Sequence, residues 1–172
     1  NSKTSEPDTT SVGEGKFLLE RTYENYAWGY VLNGSYIDNR GNIYSYEYPH
    51  GASPWIAVNS DSLTEAELRA KYVSSATLIG HVDLSALRWM YSLIPGAEQG
   101  TLTDPVHVCS DFGGVSYLAY IYSPATQTYK TVLLYQAGDL ARKNTSNEAD
   151  QLYHALRQVF GVTGPEICGY PE

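Results

Sequence analysis

The chain is poor in the residues that usually announce a chemistry. Its 172 residues hold two cysteines, four histidines and one methionine. There is no CxxC, no HExxH and no pair of histidines at helical ligand spacing, so neither a metal nor any other cofactor is expected. GxSxG is missing, as are GxxxxGK[ST] and a GxGxxG that opens a helix. Their absence argues against a serine nucleophile elbow, a phosphate loop and a dinucleotide site. No apolar run approaches the roughly 20 residues of a transmembrane helix, so no transmembrane segment is expected. Basic residues are outnumbered, 11 against 19 acidic, for a formal charge of −8. The longest basic cluster is Arg142-Lys143, which gives phosphates no stripe to bind, so no nucleic acid partner is expected.

What the chain does have is tyrosine: 16, against three phenylalanines. A tyrosine ring is apolar and its tip is polar, which suits strands with one wet side and surfaces that bind. Seven of the tyrosines fall between Tyr23 and Tyr48. Within that stretch residues 27–37 and 42–48 read as the arms of a hairpin turning at IDNRGN, where Asn39 and Gly41 tolerate positive φ. Alternation in the second arm puts Tyr44, Tyr46 and Tyr48 on one face. Residues 16–24 read as a preceding strand, and 55–58 as a short one.

The hydrophobic period then changes. Ser62-x-x-Glu65 reads as a capping box for a helix reaching Tyr72. Leu84, Leu87, Tyr91 and Ile94 form a helical stripe that starts at Asp83 and stops at Pro95-Gly96. Residues 106–109 read as a strand, and 114–122 with 129–135 as a second hairpin around SPATQT. Thr145-x-x-Glu148 opens a last helix with a full apolar stripe, Ala149, Leu152, Tyr153, Leu156, Val159 and Phe160, closed by Gly161. The expected fold is α+β: an antiparallel sheet built from hairpins with about three helices packed on one face. Residues 1–15 are expected to be a flexible polar leader, and 16–172 a single domain.

The run NYAWGYVLNGSYIDNRGNIYSYEY resembles segments of uncharacterised bacterial secreted and lipoprotein-like domains. The match lies in Asn25, Ala27, Trp28, Gly29, Gly34, Tyr36, Ile37, Asp38, Gly41, Asn42 and Tyr44, within about thirty residues. The resemblance implies export and carries no activity. The polar leader points the same way, with a signal peptide or lipid-anchored cysteine removed upstream. Cys109 and Cys168 are expected to form a disulfide that staples the C-terminal segment to a strand.

Two candidate sites follow. The first is the tyrosine-rich sheet face, with Tyr26, Trp28, Tyr30, Tyr44, Tyr46 and Tyr48 as rings and Asp38 and Arg40 as polar selectors. It would serve a non-enzymatic module that binds a peptide, protein or glycan in the cell envelope. Cross-strand ring packing explains the same pattern without a ligand. The second is His107, Cys109 and Asp111, which alternate along HVCSD and would face one way on a strand, as a hydrolase-type centre with a cysteine nucleophile. A disulfide at Cys109 excludes that chemistry. Asp139 and Glu148 are further carboxylates to weigh for glycoside cleavage.

Overall fold

The computed structural model describes residues 10–72 and 76–168. They form a mixed α+β fold: β1 (Phe17–Asn25), β2 (Val31–Asp38), β3 (Asn42–Glu47), β4 (Leu63–Thr64), α1 (Glu65–Tyr72), β5 (Thr77–His81), α2 (Leu84–Glu98), β6 (Val106–His107), β7 (Gly114–Ser123), β8 (Thr128–Gly138), β9 (Leu140–Lys143) and α3 (Asn147–Val159). All strand pairs are antiparallel in a nine-stranded sheet of order β5-β3-β2-β1-β7-β8-β9-β6, with β4 beside β8. Both expected hairpins form, and the pairing of β1 with β7 joins them across the middle of the sheet.

Both sheet faces are covered, so the expectation of helices on one face is corrected. Under α2 and α3 lies an aliphatic core that includes Leu19, Ile37, Leu87, Met90, Ile94, Leu134, Leu152 and Leu156. On the opposite face α1 packs Leu68 and Tyr72 among Phe17, Leu32, Tyr36, Tyr46, Tyr120 and Tyr129. Alternation along the strands sends aliphatics to one side and most of the phenols to the other.

Several local expectations shift for identifiable reasons. The capping box of α1 sits two positions later: Thr64 Oγ1 accepts the Glu67 N–H at 3.2 Å, and Glu67 Oε2 accepts the Thr64 N–H at 2.7 Å. Ser146 rather than Thr145 caps α3, accepting the Ala149 N–H at 3.0 Å. Pro95 does not end α2, which runs on to Glu98, and its buried stripe is Leu87, Met90, Ile94 and Ala97, leaving Tyr91 outside. Residues 55–58 are not a strand, and β5 is an edge strand that alternation did not reveal. Residues 1–9 of the expected leader lie outside the described residues. Its remainder packs: Val12 is buried in the aliphatic core and donates its N–H to Asn39 O at 2.7 Å.

Candidate functional site

The tyrosine face divides into a closed end and an open end. The closed end is organised by Glu20, which is 0% exposed at the centre of β1. Its Oε1 accepts the Tyr46 hydroxyl and pairs with Lys71 Nζ at 2.8 Å. Its Oε2 accepts Tyr72 Oη–H at 3.0 Å and the Tyr120 hydroxyl. Four donors thus fill the acceptor sites of one carboxylate. The Lys71 ammonium also lies 5.1 Å from the Trp55 ring centroid. Gly34 makes the geometry possible, since a Cβ there would strike the β1 backbone and the Tyr46 hydroxyl. Tyr46 therefore reaches across β2 to Glu20, with its hydroxyl 2.9 Å from Thr22 Oγ1.

Burial, followed by the Glu20 charge, pushes the Tyr46, Tyr72 and Tyr120 phenols well above their ordinary 10.0. These phenols are neutral in the native state and acidic only when exposed. Their contribution to stability is whole below about pH 10 and is lost as pH rises through the elevated native values. In alkaline titration we expect the exposed tyrosines to ionise first. The buried three should ionise in one step with loss of the far-ultraviolet dichroism. Gradual, reversible ionisation of all tyrosines in a protein that stays folded would refute this.

This cluster is closed to solvent and serves as a structural pin for α1. It takes Tyr46, which is 3% exposed, off the binding surface. Tyr44 is half-buried and stacks on Tyr36 with centroids 5.1 Å apart. Tyr48 is half-buried, edge-on to Tyr30 at 5.8 Å, and donates its hydroxyl to Ser53 O at 3.3 Å. Asp38 is buried and holds the hairpin turn, its Oδ1 accepting the N–H groups of Arg40 and Asn42 at 2.9 Å each. Arg40 is exposed at that turn, at the far end of β2 from Val31, about 23 Å of extended strand away. Asp38 and Arg40 therefore do not join the other candidate residues in one site.

The open end is different. Residues 26–30 do not extend β2, as alternation suggested. They form a loop at the end of β1. Asn25 shapes it by accepting the Ala27 N–H on Oδ1 at 2.8 Å. Glu24 Oε1 clasps it by accepting the Tyr26 and Tyr30 hydroxyls, each at 2.8 Å. Tyr26 nevertheless stays 60% exposed and Trp28 86%. Beside the loop lies a groove of about 510 Å³. Its floor is a cross-strand row, Thr22 on β1, Ser116 on β7 and Gln136 on β8. Its walls are residues 24–27 and, adjoining them, Asp111, Gly113, Asp139 and Leu140. Asp139 fixes the second wall, its Oδ1 and Oδ2 accepting the Phe112 and Gly113 N–H groups at 3.0 and 3.2 Å. Asn25 ties the walls together by donating from Nδ2 to Asp111 O at 3.2 Å. Gly113, at φ 72°, packs where any Cβ would meet Glu24 O and Asn25. Phe112, between Asp111 and Gly113, is 54% exposed and does not itself line the groove. The groove was invisible in the sequence because its segments are far apart along the chain.

The hydrolase-type centre is not assembled. β6 ends at His107, and the chain then turns, with Asp111 at φ 66°, so the three residues do not share a strand face. Cys109 is bonded to Cys168 as expected, with Cα atoms 6.1 Å apart, and has no thiolate to attack with. His107 Nε2 faces Ser110 Oγ at 3.5 Å on the surface. Asp139 and Glu148 are not a pair either. Asp139 lines the groove, whereas Glu148 on α3 packs over Gly96 of α2, beneath the opposite sheet face. Compared with protein-family models, curated protein sequences and solved structures, the chain matches none.

Proposed function

We propose that this protein is a non-enzymatic binding module of the bacterial cell envelope, exported and acting on a peptide, protein or glycan. It engages its partner through the open end of the tyrosine-bearing face. The observation that carries this reading is the loop of residues 26–30. Trp28 stands 86% exposed beside a formed groove, on a loop whose conformation two side chains already fix. A large exposed ring on a loop already fixed suits a binding surface, because little loop entropy is left to lose on association. The Cys109–Cys168 disulfide supports an oxidising compartment. Among the described residues no helix is long and apolar enough to cross a membrane. The export implied by the NxAWG and GxYIDxxGNxY segments belongs to the same proposal.

The test is retention on bacterial envelope preparations. Trp28→Ala should weaken retention roughly tenfold or more. Its melting temperature should match the wild type, since so exposed a side chain contributes little to the fold. Equal retention of the variant and the wild type would overturn the reading.

A further inference from the structure

We infer that the groove walled by residues 24–27, Asp111, Gly113 and Asp139 takes a neutral saccharide. The inference rests on the binding-module reading and narrows its ligand. The groove floor lies in the middle of the sheet, where β1, β7 and β8 are each paired on both sides. No free backbone edge is on offer, so a peptide cannot dock by adding a strand. Recognition falls to side chains, and the polar ones lining the groove are hydroxyls, amides and carboxylates. Ser116 and Gln136 make no side-chain hydrogen bond among the described residues. Glu24 commits Oε1 to two phenols, and no donor reaches Oε2 among the described residues. Such a set matches ligand hydroxyls, which donate and accept at once.

Charge narrows the class further. Glu24, Asp111 and Asp139 line the groove, and no lysine or arginine does. A phosphate, sulfate or uronate would be repelled. The rings complete the match. Tyr26 lines the groove, and the exposed rings of Trp28 and Phe112 belong to residues next in sequence to the lining residues Ala27 and Gly113. The Tyr26 ring is held against Tyr30 with centroids 5.0 Å apart. A pyranose carries an apolar C–H face and a hydroxyl edge, so it can stack on a wall ring while its hydroxyls reach Gln136, Ser116 and Glu24.

Native gels cast with neutral polysaccharides (hydroxyethylcellulose, glycol chitin, laminarin or galactomannan) test this. The full chain should be retarded in at least one of them, equally at low and high salt. Trp28→Ala and Gln136→Ala should each lose roughly tenfold or more in affinity. Val58→Ser, an exposed position away from the groove, should change nothing. Both groove variants should keep the wild-type circular dichroism. Absence of retardation in every gel would overturn the saccharide. So would loss with Trp28→Ala but none with Gln136→Ala, because the rings would then bind without the floor. Salt-sensitive binding of an oligolysine peptide in place of the polysaccharides would also overturn it. Retained binding to envelope preparations in any of these cases leaves the broader reading standing, and its absence sinks both.

Discussion

Glu20→Gln is expected to remove about 3–5 kcal/mol of stability, a large part of what a domain this size has. The native carboxylate receives four donors: Lys71 and the hydroxyls of Tyr46, Tyr72 and Tyr120. An amide in its place offers one acceptor oxygen and turns two N–H donors toward groups that are themselves donors. It also leaves the Lys71 ammonium, only 4% exposed, without a counter-charge. Lys71→Met should cost clearly less. It leaves the buried carboxylate without a counter-charge, but three phenolic donors still satisfy its oxygens. Urea denaturation of the two variants, read as a shift in midpoint at unchanged slope, makes the comparison. A loss with Lys71→Met as large as that with Glu20→Gln would show that the ammonium, rather than the phenols, holds the carboxylate in place.

This pin explains why one sheet face can be both core and surface. α1 is a short helix with two buried apolar residues, Leu68 and Tyr72, too few to fix it by apolar contact alone. The bonds to Glu20 from Lys71 and Tyr72, neighbours at its last turn, anchor it over the closed end. The helix covers the phenols around Tyr46, and none of its residues lines the groove.

Much of the architecture can be read from local pattern. IDNRGN and SPATQT mark their hairpins because turn chemistry is local, and the stripe of α3 is legible because 3.6-residue periodicity is local. The disulfide is legible for want of any other pairing. Glu20 is not, because KFLLERTYE looks like a strand with a solvated charge. Its partners Tyr46, Tyr72 and Tyr120 lie 26, 52 and 100 residues away. One signal did point there: an excess of phenols destined for a core implies a buried acceptor for their hydroxyls. The candidate rings divide for the same reason. Alternation put Tyr46 with Trp28, but which rings α1 covers depends on tertiary packing. Trp28 and Tyr26 sit in a loop, where period-two reasoning does not apply.

Replacing both Cys109 and Cys168 by serine should cost about 4 kcal/mol, the chain-entropy estimate for a cross-link that spans 59 residues. For a chain of this length that is a fall of about 8–16 °C in melting temperature. The loss acts chiefly through the unfolded state, because the C-terminal segment has other holds in the native one. Glu166 accepts Arg21 Nη2 at 3.2 Å and the Tyr117 hydroxyl, and Cys168 O accepts the Gly138 N–H at 2.9 Å. Two consequences separate this account from a native-state clamp. The denaturant slope should rise in the double variant, since its unfolded chain is no longer looped and exposes more surface. Retention on envelope preparations should survive below the lowered melting point, because Asp139 and Asn25 hold the wall of residues 111–113 without help from the disulfide. If retention is lost while the fold persists, the cross-link shapes the groove directly. A loss of stability below about 1 kcal/mol would instead mean that the unfolded chain is already constrained without it.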